Sequence, residues 1–318
     1  MKILIVGGAG FIGSHMVKYA HNAGHDVITV DNLSTGFRDA VLYGKFEFCD
    51  LLDVETLSNI FNKYKPEAVM HFGGHSLVSE SINNPYKYYC NNVQGTLNLL
   101  KVMRDNKCNK LIFSSSAAVY GNPKYLPIDE KHIKNPINPY GRSKLMVENI
   151  LKDFEQAHGL RYVSFRYFNA AGQDPEGDLK ERHQPETHLI PILMQASRGE
   201  REGVDIYGTD YDTKDGTAIR DYIHVCDLAD AHLRGLDYLS NVNNKSTEFN
   251  LGNENGYSVK EVIERIKILT KSNFKVTEKE RRFGDPSVLV ASSKKAKNEL
   301  GFNPKFSDLD VIIKSLNE

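Results

Sequence analysis

The chain has 318 residues, 40% of them hydrophobic and 25% charged, a soluble globular composition with room for two domains of about 150 residues. A formal net charge of -1 excludes the basic field that nucleic acid or an anionic membrane surface selects, so neither partner is expected. Cys49, Cys90, Cys108 and Cys226 show no paired spacing and read as reduced thiols of a cytoplasmic protein, with neither disulfides nor a zinc site.

Residues 2–6 are an apolar, β-branched run that stops at Gly7-Gly8, too early for a signal peptide or a spanning helix. The run leads into Gly7-Gly8-Ala9-Gly10-Phe11-Ile12-Gly13 and a helical pattern through Ala23. Gly8, Gly10 and Gly13 fit a G-x-G-x-x-G spacing, while Gly7, Gly10 and Gly13 fit G-x-x-G-x-x-G. A tight turn alone would explain the glycines. A strand before and a helix after favour a pyrophosphate site, where the backbone closes on phosphates at the positive helix N-terminus. A second strand, 26–30, ends on Asp31, about 20 residues past the glycines. Its carboxylate suits the paired hydroxyls of an adenine ribose and repels a 2′-phosphate, so NAD is expected over NADP.

Strand-like runs at 46–49, 68–72, 110–113 and 162–165 alternate with helical patterns at 54–64, 88–104 and 144–158. This alternation predicts an α/β fold, a doubly wound parallel (Rossmann-type) sheet with helices on both faces. Polar residues gather at the strand ends, where such sheets bind ligands: Asp31, Asp50, Gly73-Gly74, Ser114-Ser115-Ser116 and Asn169. Residues 170–186 are too polar for core and too long for a tight connection, which makes them a boundary and a substrate-covering loop. The expected division is an NAD-binding domain at 1–169 and a smaller α/β, mainly substrate-binding domain at 170–318, with the chain crossing back at least once. The second part reads as a helix at 189–198, a strand at 204–207, a helix at 227–238 and a strand at 248–251. A helix at 259–270, capped by Ser258, and terminal helices complete it.

Tyr140 and Lys144 stand four apart, a spacing that puts both on one face of a helix. An ammonium beside a phenol lowers the phenol from about 10 toward neutrality. Tyr140 is thereby a candidate general base for an alcohol proton. The spacing by itself is common on helix surfaces. No metal is expected. Asp178, His183 and His188 sit in an irregular loop, and Asp210-Tyr211-Asp212-Thr213-Lys214-Asp215-Gly216 places its glycine one position late for a calcium loop and Asp221 at position twelve. Lys294-Lys295-Ala296-Lys297 reads as an exposed helix face.

The glycine run, Asp31-Asn32-Leu33-Ser34-Thr35-Gly36, Phe113-Ser114-Ser115-Ser116-Ala117-Ala118-Val119-Tyr120-Gly121 and Asn138-Pro139-Tyr140-Gly141-Arg142-Ser143-Lys144 resemble the extended short-chain dehydrogenase/reductase superfamily. Arg166-Tyr167-Phe168-Asn169, Glu186-Thr187-His188-Leu189-Ile190-Pro191, Gly216-Thr217-Ala218-Ile219-Arg220-Asp221-Tyr222-Ile223-His224-Val225 and Arg281-Arg282-Phe283-Gly284-Asp285-Pro286 narrow the likeness to the UDP-glucose 4-epimerase group, over nearly the whole chain. The resemblance implies that Phe11, Ile12, Asp31 to Gly36, Asp50, Leu51, Phe72 to Ser76, Asn91, Ser114, Lys144 and Phe168 line an NAD site with the glycine run. Ser116 and Tyr140 would hold the reacting hydroxyl, and Asn169, His188, Leu189, Tyr207, Arg220, Arg282 and Asp285 a uridine diphosphate. It further implies a homodimer acting on a UDP-sugar, with Ser116, Tyr140 and Lys144 as the catalytic set and inversion at carbon 4 through a 4-keto intermediate. Ser76 stands where many relatives place a cofactor-binding lysine, and the position that gates the sugar pocket falls on Leu289. Leucine there leaves open a UDP-N-acetylglucosamine 4-epimerase or a dual-specificity enzyme. A sugar-nucleotide dehydratase lacks its acidic pair, since Ala117-Ala118 follow Ser116. A simple NAD-dependent dehydrogenase and a non-catalytic NAD-binding protein share the same fold and remain as rival readings.

Overall fold

Residues 1–282 and 284–317 are described by a computed structural model. Phe283, part of the Arg281-Arg282-Phe283 segment, lies outside them. The first half of the chain folds as β1 (Lys2–Val6), α1 (Phe11–Asn22), β2 (Asp26–Asp31), β3 (Lys45–Phe48), α2 (Val54–Tyr64) and β4 (Ala68–His71). It continues through α3 (Val78–Asn83), α4 (Pro85–Tyr88), α5 (Gly95–Asp105), β5 (Lys110–Ser116), α6 (Pro139–His158) and β6 (Arg161–Tyr167). The second half adds β7 (Asn169–Ala171), α7 (Leu189–Ser197), β8 (Gly203–Tyr207), β9 (Ile219–His224), α8 (Val225–Ser240) and β10 (Thr247–Leu251). The last elements are β11 (Gly256–Ser258), α9 (Val259–Thr270), β12 (Lys275–Lys279), β13 (Val288–Leu289), α10 (Lys294–Leu300) and α11 (Leu309–Ser315).

Seven strands form one sheet in the order β10-β6-β5-β4-β1-β2-β3, every pair parallel. Successive side chains of β1 point to opposite faces. Ile3 and Ile5 enter a core shared with α1 and α8, and Leu4 and Val6 one shared with α2, α5 and α6. Helices therefore cover both faces, the Rossmann-type architecture expected from the alternating pattern. Strand order reverses between β1 and β4, which opens the crevice where such sheets hold ligands. β10 comes from the second half of the chain yet pairs with β6, and α8 packs on α1. The remaining strands build a four-stranded sheet around β9 and a two-stranded β12-β8 sheet.

Several elements differ from the pattern, and three of the differences have a clear local cause. The helix expected from residue 144 starts at Pro139, because Asn138 accepts a hydrogen bond from the Gly141 N–H at 2.8 Å and Pro139 needs no donor in the first turn. The helix expected over 88–104 is interrupted by a π segment at Tyr89–Gln94. There the Asn92 side chain leaves the helix face to bond both the N–H and the carbonyl of His75. Strand β9 escapes the period-two pattern, because Arg220 and Asp221 break its apolar alternation. The buried Asp221 carboxylate accepts the N–H groups of Asn253, Glu254 and Ala291. Ser258 does cap α9, with Glu261 completing a capping box. Asp210 and Asp215 of the calcium-like segment are bonded to Arg281 and to Thr217 and Ser258. Lys294, Lys295 and Lys297 fall on α10, whose Ala296 is buried. Among the described residues no helix is long and apolar enough to cross a membrane.

Among the described residues Arg166 is the largest fully buried side chain. Its guanidinium grips Glu148 of α6 at 2.8 and 2.6 Å, and Ser115 donates to the same carboxylate at 2.6 Å. Arg166→Ala leaves that carboxylate buried without its cation, a loss of about 3–5 kcal/mol. The expected outcome is a large drop in the urea midpoint, and a change below about 1 kcal/mol would show that the pair carries little.

Candidate active site

The cavity above the strand ends has a volume of about 1150 Å³. Its floor is the turn between β1 and α1. Gly7 has φ +76°, and a Cβ on Gly13 would stand 2.1 Å from the Gly7 carbonyl oxygen, so only bare backbone fits this turn. At the end of β2 the Asp31 carboxylate accepts the N–H groups of Ala9 at 2.9 Å and Leu33 at 2.8 Å. Burial raises its pKa and these two donors pull it back. Among the described residues it has no ion-pair partner, which leaves it available to neutral donors such as ribose hydroxyls.

The structure brings most of the expected residues to this cavity. Gly7, Gly10, Phe11, Ile12, Gly13, Asp31, Asn32, Ser34, Thr35, Leu51, Phe72, Gly73, Gly74, Ser76, Asn91, Ser114 and Phe168, expected at the cofactor, line it. Ser116, Tyr140, Lys144, Asn169, His188, Leu189, Tyr207, Arg220, Arg282, Asp285 and Leu289, expected at the reacting sugar and the nucleotide, line it too. Leu33, Gly36 and Asp50 stand behind the wall instead. Leu33 packs on the core, Gly36 closes against the Ala9 backbone, and Asp50 accepts from Asn32 Nδ2 at 2.7 Å. They hold the lining rather than form it.

In this cavity α6 presents Tyr140 and Lys144 to the end of β5. Lys144 Nζ donates to the Ser114 carbonyl at 2.7 Å and lies 6.0 Å from the Tyr140 ring centroid. A Cβ on Gly141 would meet the Ala118 carbonyl at 2.4 Å, so α6 sits directly on the segment that follows Ser116. Behind it, Asn92 bonds Ser143 at 3.1 Å and ties the π segment to α6. Burial brings the Lys144 ammonium down to about 8. Burial also pushes the Tyr140 phenol up, and the neighbouring Ser116 hydroxyl pulls it partly down. The lowered phenol expected from Lys144 is thus not produced by the chain alone, because the cost of taking a phenolate out of water outweighs an ammonium that far from the ring.

The outer end holds most of the differences in pairing. Arg282 and Asp285, expected together, turn to separate partners: Asp285 accepts from Arg220 at 3.0 Å, and the Arg282 guanidinium lies 3.8 Å from the Tyr207 ring centroid. Leu289 pairs in register with Arg220, lines the cavity and touches the small core around Ile128 and Ala291. Glu181, His183 and Glu186 also line the cavity and stand outside the expected set. His183 bonds Glu181, and His188 bonds Glu186 at 2.8 Å. Burial would lower His183, but the Glu181 carboxylate raises it overall. The visible sequence signal is the alternation of Glu and His through 181–188, which the irregular loop composition masks.

Residues 3–252 match the family model described as "NAD dependent epimerase/dehydratase family". The chain is 46% identical over 316 residues to a UDP-glucose 4-epimerase of Lacticaseibacillus casei, covering 99% of this chain and 95% of that one. It superposes with TM-score 0.95 on the UDP-glucose 4-epimerase from Brucella ovis in complex with NAD, at 48% identity and with 99% and 96% of the two chains covered. A further similar structure is the UDP-glucose 4-epimerase from Bifidobacterium longum in complex with NAD+ and UDP, with TM-score 0.94, 38% identity, and coverage of 100% and 97%.

Lys144 provides a pH test of this geometry. The folded ammonium loses its proton near 8 and the unfolded one near 10.5, so the unfolded chain holds more protons between those values. Stability gained from Lys144 therefore rises with pH across that window and is absent below it. In Lys144→Met this component of the rise should vanish, as read by urea midpoints from pH 7 to 10.5 in both proteins. An identical rise in the variant would assign it to another group.

Proposed function

The chain belongs to the NAD dependent epimerase/dehydratase family, and from that premise we propose that it inverts carbon 4 of a UDP-hexose, interconverting UDP-glucose and UDP-galactose through a 4-keto intermediate. The observation that carries this reading is the juxtaposition of Ser116, Tyr140 and Lys144 where a bare-backbone turn and an uncompensated Asp31 carboxylate open into one cavity. That turn and that carboxylate fit NAD. Gly7, Gly10 and Gly13 would hold a pyrophosphate and Asp31 the ribose hydroxyls, and Lys144 lines the same cavity. When bound, NAD supplies the hydride acceptor and donor that the chain's own side chains lack.

The residues divide the remaining work. Ser116 holds the sugar 4-oxygen beside Tyr140, whose phenolate would take the hydroxyl proton as carbon 4 is oxidised. Lys144 places positive charge near the phenol, offsetting part of the cost of a buried phenolate. Inversion requires the 4-keto sugar to turn before hydride returns to its other face, while the nucleotide stays held. Asn169, Leu189, Tyr207 and Arg220 line the part of the cavity suited to that nucleotide, and Arg220 offers a rigid donor fork to phosphate. Ala117 and Ala118 supply no acid beside Ser116, which speaks against dehydration.

In this reading residues 1–169 mainly bind NAD and residues 170–318 mainly bind the UDP-sugar. The protein acts in the cytoplasm as a homodimer, in galactose and wider carbohydrate metabolism. Its four free cysteines support a reducing compartment. The N-acetyl-hexose reading is not favoured by the Lacticaseibacillus casei and Brucella ovis relatives, both named for UDP-glucose alone. Separate incubation with UDP-galactose and UDP-N-acetylgalactosamine, followed by resolution of the epimers, tests the assignment. UDP-glucose is the expected product of the first, and no epimer from either overturns the reading.

Two substitutions test the roles. Tyr140→Phe keeps the ring and removes the ionisable oxygen, so turnover should fall about 10²–10⁴-fold while NAD content and folding persist. Near-normal turnover would remove Tyr140 from the mechanism. The isolated protein should release NAD on denaturation, with little NADP. Asp31→Ala should relax that preference, as read by chromatography of the extracted nucleotide.

A further inference from the structure

Two clusters of metal-ligating side chains lie on the loop between β7 and α7, and they differ in one decisive respect. Asp174, Glu176 and Asp178 surround Lys18 Nζ at 2.7, 2.6 and 2.9 Å, so a cation from the chain itself already fills that cluster. Glu181, His183, Glu186 and His188 have no such filling. Their ligand atoms lie within 4.8 Å of one another, and among the described residues the two glutamates form ion pairs only with the two histidines. The Glu181 and Glu186 side chains are just 6% and 5% exposed. Two carboxylates this far out of water need positive charge nearby. Each uses Oε1 for its hydrogen bonds, to backbone N–H groups and a histidine Nδ1, and Oε2 takes none among the described residues.

We propose that Glu181, His183, Glu186 and His188 form a site for a divalent transition metal of the zinc class. Two imidazoles with two carboxylates are a borderline donor set that suits such an ion over the all-oxygen sets of magnesium and calcium. A tetrahedral ion with bonds of about 2.0–2.2 Å holds its ligand atoms about 3.4 Å apart, so side-chain movement within one loop closes the set. The ion takes the place of the hydrogen bond between each histidine Nδ1 and its glutamate, with each neutral ring carrying its proton on Nε2. The rings of His183 and His188 already lie 4.7 Å apart, and His183 meets Phe11 of α1 edge-on at 5.8 Å. A bound ion therefore fastens the loop against the start of α1, at the wall of the cavity. Asp178, singled out in the sequence with the two histidines, belongs to the Lys18 cluster instead.

The test uses the full chain with its bound nucleotide, stripped with a chelator and then titrated separately with ZnCl2, CoCl2 and MgCl2. Calorimetry should give one Zn²⁺ per chain and far weaker Mg²⁺ binding, and Co²⁺ should show visible d–d bands. His183→Ala and the nearly isosteric Glu186→Gln should each weaken Zn²⁺ by more than the roughly 10–100-fold that loss of an outer partner costs, and should alter the Co²⁺ bands. His158→Ala, on the far end of α6, should change neither. Absence of saturable Zn²⁺ binding, equal affinity for Mg²⁺, or Zn²⁺ binding that survives both loop variants at full strength would overturn the site. No sugar substrate enters the measurement, so its outcome is independent of the proposed epimerisation.

Discussion

The seating of α6 on the ends of β5 and β6 is the constraint on which the rest depends. A buried arginine on β6 clamps a buried glutamate one turn beyond Lys144, and a serine of β5 donates to the same carboxylate. Three elements thus share one charge network whose members are each almost fully out of water. Such a pair contributes little net energy relative to a well-packed apolar substitute, but leaving half of it costs several kcal/mol. Its value lies in register. A slip of α6 by one residue would separate Glu148 from Arg166 and carry Tyr140 and Lys144 away from Ser114 and Ser116.

The opposite wall is positioned by the absence of side chains. Gly7 and Gly13 let backbone meet backbone, and the same turn donates an N–H to Asp31. The carboxylate is therefore held by the phosphate-type turn itself, so the two recognition elements cannot drift independently. Asn32 and Asp50 brace the strand end from behind. Precision here comes from close approach and hydrogen bonds, and little from hydrophobic packing.

The outer wall follows a different logic. Its side chains come from separate segments after residue 180 and pair with one another: Arg220 with Asp285, Arg282 over Tyr207, His183 with Glu181, and His188 with Glu186. Arg220 with the exposed Asp285, and Arg282 over the exposed Tyr207, are partly solvated contacts that exchange partners at lower cost than a buried pair. A ligand carrying a diphosphate can therefore recruit these cations without disturbing the core. That division suits a site in which a nucleotide is gripped while a sugar turns.

Much of this was legible in the sequence. Local chemistry fixed the β-branched runs, the helical periods, the glycine turn with Asp31, the Ser258 cap and the four-residue spacing of Tyr140 and Lys144, because each depends only on residues close along the chain. Tertiary structure decided what depends on distant partners. It moved the start of α6 to Pro139 through Asn138, broke the 88–104 helix so that Asn92 could reach His75, and made the charged segment at 219–224 the central strand of a sheet. It placed β10 beside β6, drew Leu33, Gly36 and Asp50 behind the wall, and raised the Tyr140 phenol where spacing alone predicted a lowered one. A Tyr-to-Lys spacing carries no information on how much water surrounds the pair. Desolvation is a property of the packed molecule, and it sets the sign.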